Sequence, residues 1–180
     1  MNLANKLTLS RIFMIPIFIY FLQLNTDNGI LISGVVFILA SITDFFDGYI
    51  ARSRNMVTKF GKFMDPLADK LLVISAFIYF VALGMVPAWA VILIISRELI
   101  VSIFRAIAAA DGVVIAAGSL GKFKTVSQMI TIISYCLLPL YRDYVLFPLP
   151  LILFYICTFF TILSGIDYIV RNKNVLKDVN

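Results

Sequence analysis

Apolar residues run along this chain in six long stretches, with neither the strict alternation of a half-buried strand nor the single apolar stripe of a surface helix. They cover approximately residues 7–24, 29–51, 66–84, 87–109, 124–140 and 148–170. Each is near the roughly 20 residues that an α-helix needs to cross a bilayer. Polar or helix-breaking segments separate them. Residues 25–28, Gly84 with Pro87, and residues 141–147 form the breaks at one end, and longer loops around residues 53–64 and 110–123 form those at the other. The pattern predicts an all-α membrane protein of six transmembrane helices, built as a single domain over residues 1–180.

Charge adds an orientation. Lys6, Arg11, Arg52, Arg54, Lys59, Lys62, Lys70, Arg105, Lys122, Lys124, Arg171, Lys173 and Lys177 fall at one end of the predicted helices, whereas the opposite loops offer Arg142 beside Asp143. Because basic loops stay in the cytoplasm, both termini and both longer loops are expected to be cytoplasmic. Lys6 and Arg11 ahead of the first stretch imitate a signal peptide, but no small-residue cleavage site follows it, so a retained first helix is expected. With no targeting extension in view, the chain reads as a multi-pass protein of a bacterial plasma membrane.

Composition narrows the chemistry. The 180 residues are 62% hydrophobic and 14% charged, and a mean hydropathy of +1.01 lies outside the globular range. The net charge of +5 would suit a nucleic-acid partner, but the basic residues sit between apolar stretches and form no polar face, so no nucleic acid is expected. There is no histidine, which excludes His-ligated metal sites and Ser-His or Cys-His nucleophilic pairs. Acid-base work falls to Asp, Glu, Lys, Tyr or water. Cys136 and Cys157 lie in separate stretches without C-x2-C spacing and read as small buried thiols, not as a disulfide or a zinc site. Asp167, in the sixth stretch, is left without a role.

The anomaly is a run of carboxylates inside this apolar chain. Asp44, Asp47, Gly48, Ala51, Arg52, Gly61, Asp65 and Asp69 spell D-x2-D-G-x2-A-R-x8-G-x3-D-x3-D. An unpaired Asp at the bilayer centre costs roughly 2.5 to 3.5 kcal/mol, so four of them call for a neutralising partner. Asp44 and Asp47 are spaced i, i+3, and Asp65 and Asp69 i, i+4, so each pair projects from one face of its helix. At about 1.5 Å per residue both pairs reach a similar depth toward the cytoplasmic side. Hard divalent cations prefer such oxygen donors, and Mg2+ is commonly held by a few carboxylates together with phosphate oxygens. Gly48 and Ala51 clear the same stripe for something bulky, Arg52 adds a cation shaped for phosphate, and Gly61 offers a close approach in the loop. The stripe describes a slot for a metal-bound diphosphate. The competing reading has the small residues serve helix packing while the acids pair with Arg52, Lys62 and Lys70.

This signature resembles that of the CDP-alcohol phosphatidyltransferase family at all eight of its defined positions. The resemblance implies six transmembrane helices, a homodimer, and metal-dependent transfer of a phosphatidyl group from CDP-diacylglycerol to an alcohol, with CMP released. It implies Mg2+ or Mn2+, as two ions, on Asp44, Asp47 and Asp65, with Asp69 as general base also touching metal. It implies CDP contacts from Gly48, Ala51, Arg52 and Gly61. A second stretch is similar to the branch of that family that makes phosphatidylglycerol phosphate from sn-glycerol 3-phosphate. It comprises Ser96-Arg97-Glu98-Leu99-Ile100, Arg105, Gly121-Lys122-Phe123-Lys124-Thr125 and Gln128, with Asn5-x2-Thr8-x2-Arg11 as a weaker match.

The residues themselves favour an anionic acceptor. Arg97 sits about 15 Å into its helix, where a cation needs a partner or a task. Arg105 and Lys124, with Arg97 and Lys122, can form a basic pocket for a phosphate monoester. Alternatively Arg97 pairs with Glu98 or the aspartates, and Lys122 and Lys124 only enforce topology. Inositol phosphate or serine as acceptor, an aspartate-rich prenyltransferase and a divalent-cation transporter using the four aspartates stand as rival readings.

Overall fold

The structure, a computed structural model, describes the backbone of residues 3–53, 59–110, 118–144 and 148–172. Side chains are described for residues 9–43, 67–68, 70–108, 118–144 and 148–172. Six helices follow one another: α1 (Leu3–Gln23), α2 (Asp27–Ser53), α3 (Lys59–Ala82), α4 (Ala88–Ala110), α5 (Ser119–Tyr141) and α6 (Leu149–Arg171). Among the described residues there is no strand. The six expected helices are therefore present, and two of them, α5 and α6, are long and apolar enough throughout to cross a membrane. Shorter apolar runs occupy Leu9–Gln23, Asp27–Thr43 and Lys70–Ala82.

Two helix starts differ from the sequence reading. The third helix was expected from residue 66, yet α3 begins at Lys59, and the fifth was expected from residue 124, yet α5 begins at Ser119. Gly61, expected in a loop, therefore has a helical backbone, and so do Gly121 and Lys122. The reason is physical: hydropathy marks where a helix becomes apolar, while backbone hydrogen bonding continues through the polar turn before it. Pro66 suggested a beginning because proline suits a first helical turn, but α3 runs through it.

The turns are well specified. Asn25, with φ 48°, carries the chain between α1 and α2, as a residue type that tolerates left-handed backbone. The Thr26 hydroxyl oxygen accepts the Gly29 N–H at 3.1 Å and caps α2. Gly84, with φ 70°, ends α3. Its N–H donates to Val81 O and that of Met85 to Phe80 O, both at 2.9 Å, the paired bonds of a glycine-terminated helix.

Helices α1, α2 and α3 pack together, α6 packs on both α5 and α4, and α5 joins the two groups through α2 and α3. Aromatic rings fill the seam, with Phe77 and Phe154 at 5.7 Å and Phe80 and Tyr135 at 4.9 Å between centroids. The exterior is apolar as well as the core. Phe13, Val35, Ile78, Ile92, Val126 and Phe159 face outward, whereas Arg11, Glu98, Lys124, Gln128 and Thr131 are buried beside the hydrophobic core. An apolar exterior with buried charged side chains suits hydrocarbon surroundings.

The two ends of the bundle differ. At one end Arg142 grips Asp27 through two bonds of 3.0 and 2.8 Å, tying the end of α5 to the start of α2. The other end gathers the starts of α3 and α5 with the ends of α4 and α6. There Arg171 donates to Asp167 at 2.6 Å, which gives Asp167 a partner that the sequence reading did not supply. Cys136 and Cys157 are free and buried, as expected.

Candidate active site

A cavity of about 450 Å³ lies toward this second end, walled by the middle of α3, the middle and later turns of α4 and the first half of α5. All four cations expected at an acceptor phosphate, Arg97, Arg105, Lys122 and Lys124, line it, and Lys70 is a fifth. Among the described lining residues the one carboxylate is Glu98, so cations outnumber acids there. Such a concentration of positive charge in a concave space attracts anions.

Its walls are held by specific bonds. Glu98 is 5% exposed and Lys124 6%; the Lys124 ammonium donates to Glu98 Oε1. Arg97 Nη1 lies 3.6 Å from the same oxygen. The four cations thus share one cavity, and the Arg97–Glu98 contact of the competing reading is part of its wall. Such a buried cluster is costly to break, because removing one partner strands the other charge, at about 3 to 5 kcal/mol. The Ser102 hydroxyl donates to the Glu98 carbonyl oxygen and accepts from Lys70 Nζ, linking α3 to α4.

Helix α6 backs the wall without lining it. A Cβ on Gly165 would lie 2.9 Å from Arg97 Cγ, so glycine there lets the arginine stem lie against the α6 backbone. Arg105 stands over the Tyr168 ring, with Cζ 5.5 Å from its centroid, a cation–π contact that restrains the guanidinium. Tyr168 also meets Phe104 edge-on at 5.7 Å. Thr125 donates to Gly121 O at 3.1 Å and Gln128 Nε2 to Thr161 Oγ1 at 3.4 Å, which fixes the α5 wall.

The aspartate signature lies on the backbone that leads into this cavity. Asp44, Asp47, Gly48, Ala51 and Arg52 fall on α2, and Gly61, Asp65 and Asp69 on α3. Their side chains lie outside the described residues, as do those of Asn5 and Thr8. Arg11 is buried in α1. The start of α3 at Lys59 changes the register argument: Gly61, Asp65 and Asp69 follow one another at intervals of one turn. Val73, one turn beyond Asp69, lines the cavity, and so does Lys70 beside it. Asp69 thus stands on α3 next to the lining residue Lys70, while each further four-residue step, to 65 and to 61, turns by about 40° away from the Val73 direction. Among the described residues no group of acids or thiols could hold a metal ion.

In the sequence, Lys70 and Glu98 enter the site only through the competing readings, Lys70 as a partner for the aspartates and Glu98 as one partner for Arg97. Ser102, Gly165 and Tyr168 had no part in them. No spacing rule reaches them, because their roles come from which helices meet.

The comparisons with known proteins agree with this arrangement. The model of the CDP-alcohol phosphatidyltransferase family matches residues 1–163. The chain is 44% identical to a CDP-diacylglycerol–glycerol-3-phosphate 3-phosphatidyltransferase of Bacillus subtilis (strain 168), over 99% of both chains. Proteins of the same name are 40% identical in Rickettsia bellii, over 93% of both chains, and 36% identical in Haemophilus influenzae, over 98% of this chain and 96% of the relative. The aspartate signature, the cavity that its helix enters and these likenesses together place the chain in the CDP-alcohol phosphatidyltransferase family.

Proposed function

We propose that the protein transfers a phosphatidyl group from CDP-diacylglycerol to sn-glycerol 3-phosphate, giving phosphatidylglycerol phosphate and CMP. The observation that carries this reading is the gathering of Arg97, Arg105, Lys122 and Lys124 around one cavity that Lys70, next to Asp69 on α3, also lines. An acceptor phosphate held among Arg97, Arg105, Lys122 and Lys124 would place its hydroxyl toward the aspartates. The names of the relatives point to the same donor and acceptor.

In this mechanism the acceptor hydroxyl attacks the phosphorus bonded to the diacylglycerol oxygen. A new O–P bond forms, the P–O bond to CMP breaks, and the hydroxyl proton passes to the Asp69 carboxylate. Gly48, Ala51, Arg52 and Gly61 hold the CDP moiety. The chemistry of the donor set fits Mg2+ or Mn2+, two ions on Asp44, Asp47, Asp65 and Asp69, which when bound would offset diphosphate charge and stabilise the leaving group. Arg105 and Lys124 fix the phosphate monoester, so that reaction is confined to the far end of a small molecule.

The reading extends to placement. Six membrane spans with both termini in the cytoplasm, a multi-pass location in a bacterial plasma membrane, a single domain and a homodimer complete it. Nucleotide and acceptor then arrive from water while the acyl chains stay in lipid. Purified protein with CDP-diacylglycerol and a panel of acceptors, scored by CMP release, tests the assignment. Turnover with sn-glycerol 3-phosphate supports it; turnover with serine or inositol phosphate alone overturns the acceptor, and metal flux into proteoliposomes without nucleotide would instead favour a transporter.

A further inference from the structure

The cavity contains more donors than acceptors, and that imbalance bears on what besides a phosphate it recognises. Lys70, Arg97, Arg105, Lys122 and Lys124 only donate. An acceptor molecule that carries a hydroxyl besides its reacting one must give that proton to an oxygen in the wall. Ser102 donates to the Glu98 carbonyl and accepts from Lys70, which leaves it one lone pair. Thr125, which donates to Gly121 O, and Gln128, which donates to Thr161, offer neutral acceptor oxygens. Glu98 is the charged acceptor among the described lining residues. Its contacts with Lys124 and Arg97 are both made at Oε1, and among the described residues no donor is assigned to Oε2. The side chain is 7% exposed and lines the cavity.

We infer that Glu98 is a specificity-determining residue whose Oε2 accepts a hydrogen bond from the non-reacting hydroxyl of the acceptor, so that the cavity selects a phosphate monoester carrying a second hydroxyl. Lys124 and Arg97 serve this role by pinning Oε1 and thereby orienting the carboxylate. A buried charged acceptor left without its hydroxyl donor penalises an analogue lacking that group more strongly than a missing apolar contact would. The inference rests on the proposed acceptor class and deepens it.

The test compares sn-glycerol 3-phosphate with 3-hydroxypropyl phosphate, which keeps the phosphate and the primary hydroxyl but lacks the secondary one. CMP release gives kcat/KM for each in the wild-type protein and in Glu98→Gln, with Glu98→Asp standing in should the amide variant not fold. The wild type is expected to favour sn-glycerol 3-phosphate by at least about tenfold, and the variant to lose most of that preference while still using both acceptors. Equal use of the two by the wild type overturns the inference. So does a variant that loses activity with both in equal proportion, since a purely structural Glu98 would act that way. Failure of the wild type to release CMP with either phosphate would instead sink the proposed acceptor class, and with it the premise.

Discussion

The aspartate run and the basic cavity share helix α3, yet they are assembled by different rules. Asp44, Asp47, Asp65 and Asp69 belong to two helices consecutive in sequence, and their spacing follows the helical repeat. The cavity takes Lys70 from α3, Arg97, Glu98, Ser102 and Arg105 from α4, and Lys122 and Lys124 from α5, with Gly165 and Tyr168 of α6 behind it. The first region is a local pattern; the second exists only where helices meet.

Substitutions can break this comparison apart, and the largest effect belongs to the first region. Asp69→Asn should lower turnover by roughly a hundredfold to ten-thousandfold, the usual contribution of a general base. CMP release at saturating substrates measures it, and wild-type turnover in that variant would remove Asp69 from the role. Chelation of divalent cations should likewise abolish release, with added Mg2+ restoring it. In the cavity, Arg105→Ala should raise KM for sn-glycerol 3-phosphate by roughly ten- to a hundredfold, the loss of a charge-assisted contact. KM for CDP-diacylglycerol should hardly move. A rise confined to the donor would show that the two regions are not divided in this way.

Smaller effects sharpen the division. Tyr168→Leu removes the ring beneath Arg105, and a cation–π contact of about 0.5 to 2 kcal/mol corresponds to a severalfold rise in acceptor KM. Tyr168→Phe keeps the ring and should behave as the wild type, so a large effect of the phenylalanine variant would assign the hydroxyl a task of its own. Smallest of all, Arg142→Ala breaks the exposed pair with Asp27 at the opposite end of the bundle. It should cost at most about 1 kcal/mol in thermal unfolding, with both KM values unchanged.

Much of the fold was legible because long apolar stretches report where helices run. The turn at Gly84 and the break at residues 25–28 carried their own backbone chemistry. The starts of α3 and α5 were not legible, since polar helical turns look like loops on a hydropathy trace. Moving Gly61 from loop to helix is the consequence that matters, because it puts Gly61 on the same helix as Asp65 and Asp69.

For the site, the chain by itself determined the aspartate spacing and the accumulation of basic residues at one end, since both depend on helical repeat and charge order. It determined as well that Arg97, deep in an apolar stretch, needed a partner. Tertiary structure decided what that partner does. A buried carboxylate on α4 can hold Arg97 of its own helix and Lys124 of α5 at once only when the fold brings α5 within side-chain reach of it. Ser102 meets Lys70 only because α3 crosses the same space. Contacts between helices depend on packing of whole faces, and no interval along one helix encodes them.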